Sequence, residues 1–156
     1  MRRVNNEITD MNELLRILKE CQVMRLAIND DGYPYIVPVN YGFRYKNGRL
    51  YLYLHGADAG TKKTLIAKDC RIGFEMDINN SAVINEEQSC NSYMTYESIC
   101  GKGNASIVEG SSKEDALTVI MQHYSDKPVH FSEEMINKTM VIMIEVTHIT
   151  GKFLRK

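Results

Sequence analysis

Hydrophobic residues recur with two different periods along the chain, and this pattern predicts a mainly β domain with flanking helices. In the first segment, Asp10 to Glu20, the apolar residues have helical spacing: Met11, Leu14, Leu15 and Leu18. Asp10 stands where an N-cap residue lies, and Glu13 stands at the reciprocal position of a capping box. From Val23 onward the period changes to two, which indicates β-strands.

Between Val23 and His55 the alternation predicts a three-stranded antiparallel meander. Two turn signals, Asp30-Asp31-Gly32 and Asn47-Gly48, separate its strands. The strands are Val23 to Asn29, a long run from Pro34 to Tyr45, and Leu50 to His55.

The second half of the chain predicts three further strands and up to three helices. These elements are a helix at Ala59 to Lys68, a strand at Arg71 to Ile78, a polar loop at Asn79 to Asn91, a β-rich stretch at Tyr93 to Glu109, a helix opened by the capping box of Ser111 and Glu114, a short helix at Ser132 to Lys138, and a strand at Met140 to Thr150. In the helix after Ser111, one stripe should be apolar: Ala116, Leu117, Ile120, Met121 and Tyr124. Gly101 and Gly103 mark a bulge, a bend or a close backbone approach. Six strands with one apolar face each bury that face best by curling into a barrel, which also removes exposed edges.

Composition narrows the class of protein. The 156 residues suit one domain spanning 1–156, and a net charge of −1 without a Lys/Arg block argues against nucleic-acid binding. No apolar run approaches the ~18 residues of a membrane span, and Met1 to Glu7 lacks the apolar stretch of a secretion signal, so we expect a cytosolic protein. The four cysteines have no metal-ligand spacing, which argues against zinc and predicts reduced, mostly packed thiols.

Pro38 interrupts a run that otherwise has the pattern of a long strand. Proline cannot donate to a β-ladder, so this stretch should be an edge strand or a bulge. Such an edge leaves backbone groups of Val37, Val39, Asn40 and Tyr41 available to a flat hydrogen-bonding ligand. The alternative is a proline that merely protects a sheet edge.

The segment Gly56 to Lys63 follows a strand and opens a helix. Free N–H groups at a helix start attract anions, and Thr61, Lys62 and Lys63 add a hydroxyl and two charges, so the segment suits one phosphate. The alternative is an ordinary surface helix with solvated lysines.

His55 ends its strand just before this segment. It is either an acid or hydrogen-bond donor to a ligand or a half-buried histidine bonded to backbone. Tyr96, Glu97 and Ser98 lie in a strand with polar residues on both sides. They face either solvent or a ligand that a partner subunit holds.

Taken together, the chain resembles the pyridoxamine 5′-phosphate oxidase-like, FMN-binding split-barrel superfamily, and within it the nitroimidazole-resistance (Nim-type) flavoproteins. The resemblance covers nearly the whole chain. The segments that carry it are Arg25-Leu26-Ala27, Gly32 to Tyr41, Leu50 to Ala57, Gly60-Thr61-Lys62, Tyr96 to Ile99, Gly101-Lys102-Gly103 and Thr150-Gly151-Lys152.

The resemblance implies a six-stranded antiparallel split β-barrel that forms a homodimer with FMN in two interface clefts. His55 matches the family's active-site histidine. The implied cofactor contacts are Arg25, a ring strand of Val37, Pro38, Val39, Asn40 and Tyr41, a phosphate site of His55, Thr61, Lys62 and Lys63, and Tyr96, Glu97 and Ser98 of the second subunit. FAD stays open as the longer nucleotide. The chain has no Trp and no Arg-x-His element near its C-terminus, which argues against pyridoxamine-phosphate oxidase activity.

Three functions follow from these expectations. The first is a flavin-dependent oxidoreductase that passes electrons from NAD(P)H or another donor to a small aromatic or nitro compound. The second is a flavin-binding carrier or sensor without turnover, since no general base or nucleophile is evident beyond His55. The third is a haem-binding split barrel with His55 as an axial ligand.

Overall fold

The computed structural model describes residues 4–155, and its elements are mostly antiparallel β-strands. Part of the N-terminal segment that was assessed for a secretion signal therefore lies outside the described residues. The strands are β1 (Glu7–Ile8), β2 (Met24–Asp30), β3 (Tyr33–Val39), β4 (Tyr41–Lys46), β5 (Arg49–Ala57), β6 (Arg71–Val83), β7 (Tyr93–Val108) and β8 (Thr139–Leu154). The α-helices are α1 (Met11–Glu20), α2 (Thr61–Lys68), α3 (Ser112–Tyr124) and α4 (Glu133–Lys138).

The strands form one eight-stranded sheet in the order β3-β2-β6-β7-β8-β5-β4, and β1 pairs with β8 outside this path. The two end strands, β3 and β4, are consecutive in the chain and part only at Asn40. The predicted three-stranded meander is therefore wrong at one point: its long middle strand, Pro34 to Tyr45, is two strands, of which β3 pairs with β2 and β4 pairs with β5. The edges of the sheet are joined by the covalent chain instead of a hydrogen-bonded ladder. This arrangement confirms the split barrel.

The predicted six strands correspond to the wall of this barrel. β3 and β4 are the two halves of the predicted run from Pro34 to Tyr45, and the two-residue β1 is an addition. Two paths across paired strands lead from the corner at Asn40 and His55 to β7. The path from His55 through β8 reaches Val108. The path from Asn40 through β2 and β6, with the registers of β2 continued beyond their last pairs, reaches Ser98. These two positions lie ten residues apart on β7. Such a stagger accompanies strands that tilt strongly against the barrel axis.

Helix α1 helps to fill the barrel. Asp10 caps it by accepting a hydrogen bond from the backbone N–H of Asn12, as predicted. Its apolar stripe is buried in the main core with Leu26, Leu52 and other inward residues of the strands. The buried members of the stripe are Leu14, Ile17 and Leu18. Helix α2 buries Leu65 and Ile66 in the same core, so two helices pack into the barrel's apolar interior.

Helix α3 lies on the outer face of β4 and β5 instead. A Cβ atom on Gly42 would stand 2.3 Å from the carbonyl oxygen of Val119, so the absence of a side chain lets the helix backbone approach the strand. Ala116, Leu117 and Ile120 pack there with Tyr53 and Val141 as a second core. Tyr124 of the predicted stripe is 38% exposed, whereas Val119 is buried.

Four local predictions need correction. The predicted loop at Asn79 to Asn91 is partly strand, because β6 continues to Val83 in a two-stranded extension paired with β7. Ser111 makes no capping hydrogen bond, because its backbone is already helical. Met121 is 39% exposed, so the stripe is narrower than predicted. Of the four free cysteines, Cys21 is buried and the other three are exposed, so most of the thiols are not packed.

Gly101 fits the predicted close approach. A Cβ atom there would stand 2.1 Å from the ring of Phe74. The register between β7 and β8 shifts between Lys102 and Gly103, which is the predicted bulge. Within the described part of the chain, none of the helices combines the length and the apolar character that crossing a membrane requires.

Candidate functional site

The break between β3 and β4 lies next to the end of β5. Tyr41 pairs with Leu54, so Asn40 and His55 each adjoin this pair at the point where the ladder between β4 and β5 ends. Both side chains are exposed. The predicted ring strand and the predicted catalytic histidine are thus brought together at one corner of the barrel.

The predicted phosphate segment adjoins this corner. Gly60, with φ of 110°, turns the chain into α2 and offers no side chain to cap it. The first N–H groups of a helix have no intrahelical acceptor, so those of α2 are available to an anion. The Lys62 ammonium lies over Gly56, 3.2 Å from the position of a Cβ atom on that glycine.

The two lysines of this segment differ in their partners. The Nζ atom of Lys63 lies 2.8 Å from a carboxylate oxygen of Asp58 and 3.2 Å from the Asp58 carbonyl oxygen. This hydrogen bond, together with the lysine charge, lowers the pKa of Asp58. Within residues 4–155, Lys62 has no carboxylate at salt-bridge distance. Of the two lysines, Lys62 is therefore the one whose charge is available to a phosphate among the described residues.

The ring strand presents its side chains alternately inward and outward. Val37 and Val39 pack into the barrel core, while Pro38 and Asn40 are exposed. Because β3 is an end strand of the sheet, one side of it has no ladder partner. Pro38 therefore lies in an edge strand, as predicted.

Tyr41 is a core residue. Its side chain is fully buried, and its hydroxyl lies 2.6 Å from the carbonyl oxygen of Leu18. Burial raises the pKa of this phenol. Its backbone N–H donates to the hydroxyl of Tyr124 at 3.0 Å, and Tyr124 donates in turn to the carbonyl oxygen of Gln22. The backbone N–H of Tyr41 thus already has an intramolecular acceptor.

Arg25 lies beside the ring strand, paired in register with Pro38. Its guanidinium contacts Asp77 at 2.5 Å and Glu75 at 3.1 Å. Burial and the neighbouring Asp77 raise the pKa of Glu75. Asp77 is paired in turn with Ser98 of β7. Arg25 and Asp77 therefore form the outer-face link between the ring strand and the predicted second-subunit segment.

Glu97, of that same segment, faces the opposite side of β7 from Ser98. Its side chain is 5% exposed and accepts hydrogen bonds from Arg16 at 2.7 Å, Asn79 at 3.1 Å and Arg155. Burial alone would raise the pKa of Glu97, but the hydrogen bonds from Arg16 and Arg155 outweigh it and hold the pKa below its usual range. Both carboxylate oxygens are engaged within the chain. Tyr96 and Ser98, its neighbours, are half-buried.

His55 also borders a cavity of about 200 Å³ beneath α3 and α4. The remaining lining residues are almost all apolar: Leu117, Ile120, Met121, Phe131, Met135 and Thr139. Leu117, Ile120 and Met121 belong to the apolar stripe predicted for α3, but nothing in the sequence connects them with His55. Alternation along β5 puts His55 on the outer face, yet nothing local indicates that α3 and α4 cover that face.

Comparisons with known proteins identify the family of the chain. The family model described as pyridoxamine 5′-phosphate oxidase matches residues 10–153. The chain belongs to the pyridoxamine 5′-phosphate oxidase family. No curated protein matches the chain.

Solved structures that share this family's fold include one with appreciable sequence identity. A candidate 5-nitroimidazole antibiotic resistance protein from Bacteroides thetaiotaomicron is 28% identical, with a TM-score of 0.81 over 94% of this chain and 86% of that one. The flavocytochrome Anf3 from Azotobacter vinelandii is 18% identical, with a TM-score of 0.82 over 100% of this chain and 72% of that one. A FAD and heme binding protein from Mycobacterium smegmatis is 15% identical, with a TM-score of 0.84 over 97% and 74%. The latter two show the fold alone, which is one that flavin-binding proteins adopt.

Proposed function

We propose that this protein binds a flavin nucleotide, FMN, at the corner formed by Asn40, His55 and Lys62, and that it is a flavin-dependent oxidoreductase of small aromatic or nitro compounds. The observation that carries the proposal is the position of Lys62. This lysine lies in the first turn of α2, which no side chain caps, and it lacks a carboxylate partner among the described residues. Its ammonium group lies over Gly56. A cation beside free helix N–H groups suits a phosphate.

The flavin ring would lie along the exposed edge of the chain from Val37 to Asn40 and end at Tyr41, whose own N–H is already bonded to Tyr124. An end strand offers a row of backbone groups without partners, and the isoalloxazine carries its own donors and acceptors along one edge. Arg25, paired in register with Pro38, would stand beside this edge. Thr61, Lys62 and the N-terminal N–H groups of α2 would hold the phosphate, with Lys63 as a more distant charge.

A second copy of the chain would complete each cleft. Ser98 is separated from the ring strand by β2 and β6, so within one chain it does not border that strand. We therefore assign Tyr96 and Ser98 to a cleft built from two subunits. The outer face of β3 carries Ile36, 61% exposed, which suits burial against a partner.

When bound, the flavin supplies hydride acceptance and donation, and the protein positions the reactants. His55 is the residue placed to donate a hydrogen bond or a proton to a compound at the ring. The similarity to the Bacteroides nitroimidazole resistance protein supports nitro compounds as the substrates to test first. NADH and NADPH are the hydride donors to test with the flavin.

The decisive experiment is the spectrum of the purified protein. We expect a flavin band near ~450 nm and release of FMN on heating, identified by chromatography against FMN and FAD standards. Anaerobic addition of NADH or NADPH should then bleach the band, and a nitroaromatic compound should restore it. Sedimentation should give a dimer.

Two alternatives give different results. A yellow protein that neither NADH nor NADPH bleaches, and that turns over no nitro compound, is a carrier or sensor. A Soret band in place of the flavin band identifies haem, for which His55 would be the axial ligand. The spectrum should be examined for haem because two neighbours of the same fold are a flavocytochrome and a FAD and heme binding protein.

A further inference from the structure

We propose that the cavity bordered by His55 is a binding site for an uncharged compound of one ring with one hydrogen-bonding group, and that Met135 helps it to exclude anions. The inference rests on the proposed function only for the reaction of the bound compound with the flavin. Binding to the cavity itself requires no flavin.

The size of the cavity limits the ligand. Its volume is about 200 Å³. A protein cavity of roughly 150 Å³ with apolar walls accommodates benzene. One aromatic ring with a small substituent therefore fits within the walls, whereas a fused three-ring compound would extend beyond them.

The walls of the cavity set the polarity of the ligand. Leu117, Ile120 and Phe131 contribute apolar surface, and no Lys, Arg, Asp or Glu is among the described residues that line it. A charged group placed against these walls would lose part of its hydration without gaining a partner, which is unfavourable. A phosphorylated compound such as pyridoxamine 5′-phosphate should therefore be rejected here.

Two polar groups are present, and they differ in what they offer. The Thr139 hydroxyl donates to the carbonyl oxygen of Met135 at 2.8 Å, so its proton is committed. The His55 imidazole has no hydrogen-bond partner within the part of the chain that the structure describes. The imidazole is therefore free to pair with one polar group on a ligand, at the same corner that faces the proposed flavin.

Met135 gives the most direct test of selectivity. It lies on α4 and is 63% exposed, so it can be replaced without opening the core. Met135→Lys would place a cation at the cavity wall. Ile84→Lys is the matched control, because Ile84 is 69% exposed and lies outside the cavity.

The probes are benzyl alcohol, benzylphosphonate and 9-anthracenemethanol, titrated into the flavin-loaded protein and followed by calorimetry and by the imidazole proton resonances of His55. These resonances are assigned by their loss in His55→Gln. We expect benzyl alcohol to bind at least about tenfold more tightly than the other two and to shift the His55 resonances. Met135→Lys should narrow or reverse the preference over benzylphosphonate, and Ile84→Lys should leave it unchanged.

Benzylphosphonate binding as tightly as benzyl alcohol would overturn the inference. So would benzyl alcohol binding without a shift at His55, or a preference that Met135→Lys and Ile84→Lys change equally. Repeating the titration on flavin-free protein separates this inference from the proposed function. If the chain binds no flavin but still selects benzyl alcohol at His55, the proposed function fails and the cavity assignment stands.

Discussion

The side chain of Lys62 lies across Gly56, and its Nζ atom is 3.2 Å from the position that a Cβ atom on Gly56 would occupy. Gly56 follows His55 near the C-terminal end of β5 and is paired with Met140 of β8. The strand that carries the candidate catalytic histidine therefore also leaves the space that the candidate phosphate-binding lysine uses. This contact links the two parts of the proposed site.

Replacing Lys62 should weaken flavin binding much more than replacing Lys63. A charge-assisted hydrogen bond contributes about 1.5–3 kcal/mol, so Lys62→Ala should raise the Kd for FMN by roughly ten- to hundredfold. Lys63 is already paired with Asp58 in an exposed salt bridge, so Lys63→Ala should change the Kd by less than about threefold. Fluorescence titration of flavin-free protein measures both, and equal effects of the two variants would contradict the assignment.

Gly42 should tolerate no side chain. In Gly42→Ala the new methyl group would meet the backbone of Val119 and Ile120, which cannot rotate away, so α3 would have to shift. We expect a loss of about 3 kcal/mol in the free energy of unfolding, measured by urea denaturation. Gly73→Ala is the matched control in another strand, because its nearest contact would be an ordinary 3.8 Å. A similar loss in both variants would show strand propensity to be the cause.

Glu97 should matter for stability more than for flavin binding. Its carboxylate joins Arg16 of α1 to Arg155, and Glu97→Gln would remove the buried negative charge that both arginines share, leaving them only their more exposed pairs with Glu13 and Glu20. Breaking a fully buried pair costs ~3–5 kcal/mol; because these arginines are partly exposed, we expect about 2 kcal/mol. Glu145→Gln, which removes an exposed pair with Arg49, should leave the free energy of unfolding nearly unchanged. If Glu97→Gln keeps its stability and loses FMN affinity, the carboxylate is a cofactor ligand.

Stability should fall on mild acidification because of His123. Its Nε2 atom lies 2.8 Å from the Cys21 carbonyl oxygen, and burial lowers its pKa below the usual 6.5. The unfolded chain then takes up a proton at a higher pH than the folded one. The free energy of unfolding should therefore decrease as the pH falls through about 6.5 toward the lower folded value. His123→Gln should flatten this slope between about pH 7 and 5, whereas replacing the exposed His130 should leave it unchanged.

The sequence predicted much of the local structure correctly. Asp10 caps α1, Pro38 lies in an edge strand, and a bulge occurs beside Gly103. These predictions succeeded because each depends on a short-range constraint, such as a missing proline N–H or a cap within one helical turn. The family resemblance then supplied the barrel.

The failures also have a physical cause. The alternation from Pro34 to Tyr45 is unbroken in the sequence, so nothing in it shows that Asn40 divides the run between two different partners. Ser111 and Glu114 have the spacing of a capping box, but the turn before α3 places the Ser111 backbone in a helical conformation and prevents the bond. Strand pairing and helix entry are decided by packing against distant segments.

The sequence by itself therefore determined the elements, the edge character of the strand around Pro38, and the residue types from which a flavin site can be built. Only the tertiary structure decided that Lys62, unlike Lys63, has no carboxylate partner among residues 4–155, that Glu97 is committed to Arg16 and Arg155, and that α3 and α4 form a cavity against His55. The reason is that periodicity records which face of an element is buried, whereas the partner that covers it comes from residues tens of positions away.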